Sequence, residues 1–258
     1  MSEPIKGVLF DLDNTLIDWR KSGGWDASEQ HHLGLIHQFL AEKQRPLNGT
    51  VEKLAKAFRN RASHAWDQAR TTLRTPHIVS VMEAVLRDFG FVADHHITMQ
   101  DVMVAYDWGK ENGVVTFPDV PDALQKLVDD GIHIAIVTNA WQPMWMRDPE
   151  LIHHDLIQFF PDENRRISAA DVGYLKPHPQ IFHHALEQIG TTPENTLFVG
   201  DNSTADIAGA QGVGMRAVLR VNDPIPPAIS RLVTPDAIIS DFNQLLNLVD
   251  DWDTAVAQ

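Results

Sequence analysis

The chain contains no cysteine, so disulfides and thiolate-held zinc are excluded, as suits a reducing compartment. It is also short of positive charge, with 21 Lys and Arg against 35 Asp and Glu and a formal net charge of −14. An acidic surface of that size argues against a nucleic-acid backbone or an anionic membrane as the main partner. The same field repels a phosphorylated substrate, so any attraction has to be local, from a metal ion and a few placed cations. No apolar run approaches the ~18 residues that a membrane span needs. The opening residues Met1 to Lys6 lack a basic segment followed by an apolar stretch, so they do not read as a signal peptide and the expectation is a cytoplasmic protein. Two Asn-x-Ser/Thr matches, at Asn48 and Asn202, are read as chance, since nothing supports secretion.

What the chain does have is an ordinary globular composition, 43% hydrophobic and 22% charged over 258 residues, enough for a sizeable core. Runs rich in Val, Ile, Leu and Phe recur at 7–10, 132–137, 197–199, 216–219 and 237–239. Being apolar on successive residues, they read as strands buried on both faces, the pattern of a parallel sheet. Between them lie helical stripes. One uses Val120, Ala123, Leu124, Leu127 and Val128 and ends at Gly131; another uses Ile181, Phe182, Ala185, Leu186 and Ile189 and ends at Gly190. Strand and helix in alternation predict a doubly wound, Rossmann-like α/β sheet.

The long interval after the first strand breaks that rhythm. Stripes at Leu33/Ile36/Phe39/Leu40, Val51 to Ala69, Ile78 to Phe89 and Val102 to Trp108 predict four helices, with Pro and Gly at their boundaries. We therefore expect residues 18–113 to form a helical subdomain inserted into a core made of residues 1–17 and 114–258. The polar tail from Asp250 is expected to fray.

Four short polar signatures sit just past apolar runs: Asp11-Leu12-Asp13-Asn14-Thr15, Thr138-Asn139, Lys176-Pro177, and Gly200-Asp201 with Asp206 five residues on. Ligands of open parallel sheets collect beyond the carboxyl ends of the strands, so neighbouring strands would bring these residues together. Asp11, Asp13, Asp201 and Asp206 so gathered cannot all stay ionised at neutral pH without a counter-ion. A hard divalent cation such as Mg²⁺ resolves the conflict, because it takes oxygen ligands from one or two carboxylates, waters and a phosphate. Lys176 adds a point charge suited to phosphate oxygens, and Thr138 and Asn139 add donors.

This ordered set resembles the haloacid dehalogenase (HAD) superfamily, and a helical insertion after the first strand is similar to its small-molecule phosphatases with a cap. The resemblance implies Asp11 as the nucleophile that forms an aspartyl-phosphate, and Asp13 as general acid and then base. It implies Asp11, the backbone carbonyl of Asp13, and Asp201 as Mg²⁺ ligands, with Asp206 as a further ligand or a supporting group. Thr138 would bond a phosphoryl oxygen, with Asn139 beside it, and Lys176 would offset charge on nucleophile and phosphate. The dehalogenases lack an aspartate two residues after the nucleophile, so Asp13 favours phosphate esters. The implied function is a Mg²⁺-dependent phosphatase for a small phosphorylated metabolite. A phosphomutase, a 2-haloacid dehalogenase and a non-catalytic binding module are the rivals, and oligomeric state is undetermined.

Other features have plainer readings. Gly209, Gly212 and Gly214 leave a helix for a strand, the reverse of a dinucleotide fingerprint. The His pairs lack metal-ligand spacing. Ser203 and Thr204 read as helix N-caps. Trp25, Trp66 and Trp108 are expected to pack the inserted helices, whereas Trp19, Trp141 and Trp145 are candidates for the substrate entrance. Arg20, Lys21, Arg61, Arg70 and Arg74 are candidates for choosing the leaving group.

Overall fold

The computed structural model describes residues 4–22, 25–222 and 233–254. Six parallel strands form the sheet in the order β5-β4-β1-β6-β7-β8: β1 Gly7–Phe10, β4 His133–Thr138, β5 Arg166–Ser168, β6 Thr196–Gly200, β7 Arg216–Arg220 and β8 Ala237–Ile239. The central strand β1 pairs with β4 on one side (Phe10 with Ile136) and β6 on the other (Phe10 with Val199). Alternate residues of these strands serve two separate cores. Val8, Phe10, Ile134, Ile136, Leu197 and Val199 face one cluster; Leu9, Ala135, Val137 and Phe198 face the other. A period of two with both faces buried accounts for the unbroken apolar runs.

Helices cover both faces. Helix α5 (Val120–Asp129) and the last helix, α10 (Phe242–Thr254), join the first cluster, and α8 (Pro179–Ile189) fills the second with Ile181, Phe182, Ala185, Leu186 and Ile189. Gly190, at φ 68°, ends α8 in the left-handed conformation that glycine adopts without steric cost. Val128, placed on the α5 stripe, is instead exposed.

Four helices stand between β1 and β4: α1 Trp25–Glu42, α2 Val51–Thr72, α3 Ile78–Asp88 and α4 Met99–Ala105. Two starts are capped by side chains, Thr50 for α2 and the reciprocal Thr98–Asp101 box for α4. That box starts α4 three residues earlier than its apolar stripe suggested. Asp107, at φ 50°, then turns the chain, so Trp108 leaves the helix and stacks on Trp19, ring centroids 5.7 Å apart. The segment is entered and left through a two-stranded antiparallel ribbon, β2 (Ile17–Asp18) with β3 (Val115–Thr116). Two residues per strand leave no periodicity to read in the sequence.

Strand β5 and helix α6 (Met144–His153) were also absent from the sequence reading. The strand is three residues long and carries a buried arginine, Arg166, satisfied by Asp148 and by the Phe160 carbonyl. The helix holds Pro149, a residue that ordinarily argues against a helix interior. Among the described residues no helix is long and apolar enough to cross a membrane.

Candidate active site

The carboxyl ends of β1, β4 and β6 meet, and the sequence signatures meet with them. Asp11 follows β1 and extends its pairing, its N–H donating to the Val199 carbonyl at 2.9 Å. The chain then tightens at once: Thr15, Leu16 and Ile17 all donate to the Leu12 carbonyl, and Asn14 adopts φ 62°. This turn returns the Thr15 hydroxyl to Asp11 Oδ2 at 3.1 Å.

Lys176 Nζ supplies the positive charge from a buried position. It donates to Asp11 Oδ1 and to the Val137 carbonyl, both at 2.7 Å, and pairs with Asp206 Oδ1 at 2.8 Å. Two hydrogen bonds and an ion pair hold the buried ammonium, which makes the side chain a fixed charge. Burial alone would lower the lysine's pKa, but Asp11 and Asp206 raise it, so it stays protonated.

Asp11, Asp201 and Asp206 each present a carboxylate oxygen within 4.8 Å of the others. Burial, above all, pushes the Asp11 carboxyl well above its ordinary range; Lys176 opposes this, while Asp206, Asp201 and Asp13 add to it. Asp201 is pushed up to about 6 by burial and by Asp206. The site therefore holds more buried negative charge than its lysine neutralises, and its donors are all hard oxygens. That fits a small divalent cation. Asp206 is held by the Asn202 N–H at 3.0 Å, and no room for a side chain exists at Gly200, where a Cβ would collide with the Asp206 carboxylate.

Asn202 caps the helical turn Ser203–Ala208, accepting from the N–H groups of Thr204 and Ala205. The expectation for Ser203 and Thr204 as caps is corrected by one and two positions. Asn139 has a partner besides any phosphate. Its side-chain amide donates to the Lys176 carbonyl at 3.0 Å and accepts from the Lys176 N–H at 2.7 Å. Both ends of that amide latch the lysine loop.

Asp13 lies beside this cluster, more exposed than Asp11. The Thr138 hydroxyl reaches Asp13 Oδ2 at 3.4 Å, and Arg147 donates to both Asp13 oxygens, at 2.7 and 3.3 Å. Arg147 was missed in the sequence. Its signal was a charged residue inside Met144-Trp145-Met146-Arg147, followed three residues later by Glu150. Arginine and glutamate at that spacing on α6 are both buried.

The aromatic and basic candidates divide. Trp19 is buried against Trp108 and does not line an entrance. The ring of Trp141 sits between Phe58 and Trp66 of α2. Trp145 is exposed but lines a separate cleft with Asp148, Arg166 and His184. The Trp25 side chain lies outside the described residues. Arg20 is bound by Asp18 and the Asn222 carbonyl, Arg61 pairs with Asp88, Arg70 pairs with Asp67, and Arg74 lies over the Tyr174 ring. Lys21 is exposed. His32 is engaged by the Tyr106 carbonyl and Glu111.

With this geometry in place, likeness to known proteins becomes informative. Residues 5–214 match the haloacid dehalogenase-like hydrolase family. The chain belongs to that family. It is 31% identical to the phosphoglycolate phosphatase of Salmonella paratyphi A over 94% of this chain and 91% of the relative. Identity to the phosphoglycolate phosphatase of Salmonella typhi is 30%, with the same coverage. Among solved structures, the 2-haloacid dehalogenase of Pseudomonas syringae pv. Tomato DC3000 superposes with a TM-score of 0.64. That pair shares 23% identity and covers 96% of this chain and 99% of the other, which establishes a shared fold.

Proposed function

We infer that this HAD-like hydrolase is a phosphatase that cleaves a small-molecule phosphate monoester through a phosphorylated Asp11. The carrying observation is the convergence of Lys176, Asp201 and Asp206 on Asp11, with a second carboxylate, Asp13, at the rim. The curated relatives with the same printed activity support the reaction class.

In the first step Asp11 attacks phosphorus and the ester oxygen departs with a proton from Asp13. In the second, water attacks the same phosphorus after giving a proton to Asp13, and Asp11 leaves as a carboxylate. Lys176 holds Asp11 oriented and offsets charge on the transferring group, and the Thr138 hydroxyl, which here makes a long contact to Asp13, turns to a phosphoryl oxygen when substrate binds. Asp11, Asp201 and Asp206, with the backbone carbonyl of Asp13, are the proposed holders of Mg²⁺. Such an ion supplies charge stabilisation and alignment for phosphoryl transfer. We assign residues 18–113 as a cap over a core of residues 1–17 and 114–258, excluding bulk water during transfer.

Asp13 disfavours the dehalogenase reading, and the intact set of charged groups disfavours a non-catalytic module. Release of inorganic phosphate equal to ester consumed separates a phosphatase from a phosphomutase. The test is a Mg²⁺-supplemented screen of phosphorylated metabolites, 2-phosphoglycolate included, on wild type and Asp11→Asn. Wild type is expected to release phosphate, and the folded variant to lose about 10³-fold or more. Wild-type rates in a folded Asp11→Asn protein would falsify the nucleophile.

A further inference from the structure

The arginine on Asp13 is built in, and its setting gives it a task. Arg147 Nε pairs with Glu150 Oε2 at 2.6 Å, and both side chains are about as buried as any in the molecule, at 3% and 1% exposure. The guanidinium lies 5.9 Å from the Trp108 ring centroid. Gly109 seals the other partner: a Cβ there would lie 2.7 Å from the Glu150 nitrogen. Burial, above all, pushes the Glu150 carboxyl up; Arg147 opposes this, Asp13 adds to it, and the Trp108 side chain helps to hold it down. Two of the three guanidinium nitrogens thus face Asp13 while the third faces the buried Glu150 carboxylate.

The fork has donors and no acceptor. It grips a carboxylate across both oxygens and fixes its plane, but offers nothing to a carboxylic acid's O–H. A carboxylate whose plane is fixed in this way is set to orient an attacking water.

We propose that Arg147, locked in place by Glu150, is a positioning residue that aligns Asp13 for the second half-reaction, in which the phosphorylated enzyme is hydrolysed. In that step a water proton passes to Asp13 and the water oxygen bonds to phosphorus. The phosphorus–oxygen bond to Asp11 breaks, and its electron pair returns to the Asp11 carboxylate. The inference rests on the phosphatase reading above.

An aryl phosphate isolates this step, because its leaving group departs without a proton and the first half-reaction no longer needs Asp13. Full-length wild type and Arg147→Met are mixed with p-nitrophenyl phosphate and Mg²⁺ in a rapid-quench experiment. Nitrophenolate release and acid-stable enzyme mass are both followed. For Arg147→Met we expect first-turnover nitrophenolate release within about threefold of wild type and steady-state turnover down roughly 10- to 100-fold. The difference should appear as a burst of one nitrophenolate per chain with phosphorylated protein accumulating. Arg147→Lys should restore part of the steady-state rate, and Glu150→Gln should shift the same ratio less.

Removing one member of a buried pair can unfold a protein, so Arg147→Met/Glu150→Gln, which removes both charges, is measured alongside, with melting temperatures for all. Equal loss in burst and steady state, or no change in either, in a folded variant overturns the positioning role. If wild type itself releases no nitrophenolate and takes up no mass at Asp11, the phosphatase reading fails instead.

Discussion

The Lys176 ammonium lies 2.7 Å from the Asp11 carboxylate although 165 positions separate them in the chain. Each partly offsets the burial of the other's charge. Arrival of β1 and β4 side by side sets the distance, and the Asn139 amide gripping the Lys176 backbone sets the approach.

Replacing Lys176 by methionine should therefore destabilise the protein by about 3–5 kcal/mol, since it strands Asp11 and Asp206 as buried, unopposed carboxylates. A divalent cation at the same cluster would replace part of the lost charge. The melting temperature of Lys176→Met is thus expected to recover more on adding Mg²⁺ than that of wild type. Equal Mg²⁺ responses in the two proteins would mean that lysine and cation do not share a field.

The raised carboxyl groups give stability a pH dependence whose sign runs against the usual acid denaturation. Asp201 titrates near 3.8 when unfolded and about 6 when folded, and Asp11 is raised as well, chiefly by burial. Between those values the folded protein binds more protons than the unfolded one, so this contribution to stability falls as pH rises. In EDTA the contribution is full below about pH 4 and is lost progressively through about pH 6 and above. Added Mg²⁺, which competes with those protons, should raise the melting temperature by several degrees at pH 8 and by little at pH 5. Thermal melts at both pH values with and without the ion check this.

Asp11 and Asp201 were legible in the sequence because unbroken apolar strands announce where their carboxyl ends fall, and the strand order then brings them together. Arg147 was not, because its role depends on α6, a helix whose internal Pro149 hides it. The Asn139 latch was hidden for a related reason: sequence shows a polar group near a phosphate loop, but only geometry shows that the Lys176 backbone engages it. The inserted helices were visible from periodicity, whereas the β2–β3 ribbon was too short to leave any pattern.

Asn139 gives a test that separates a latch from a phosphate contact. Aspartate at this position keeps an acceptor for the Lys176 N–H but replaces the donor with a second acceptor facing the Lys176 carbonyl. Losing one part-buried hydrogen bond and gaining that repulsion should cost about 1–3 kcal/mol. Asn139→Ser, which keeps a smaller polar group, should be destabilised while inhibition by inorganic phosphate weakens no more than threefold. Loss of phosphate inhibition with an unchanged melting temperature would return Asn139 to the phosphate site.

Gly200, at the end of β6, is the position where one added methyl group reaches the chemistry directly. In Gly200→Ala the new Cβ collides with the carboxylate of Asp206, a fully buried group anchored to both Lys176 Nζ and the Asn202 N–H. Strand backbone on one side and a helical turn on the other leave little slack, so the carboxylate has to move. Overpacking of this kind typically costs about 1–3 kcal/mol. The displacement also pulls one of three oxygens from the acidic cluster, so Mg²⁺ affinity, read by calorimetry, should drop at least roughly tenfold. A control at Gly131, where a Cβ meets nothing within 4 Å but φ is +77°, carries only backbone strain. Gly131→Ala is expected to lose stability while keeping Mg²⁺ affinity, and only if Gly200→Ala behaves the same way is the steric link to Asp206 wrong.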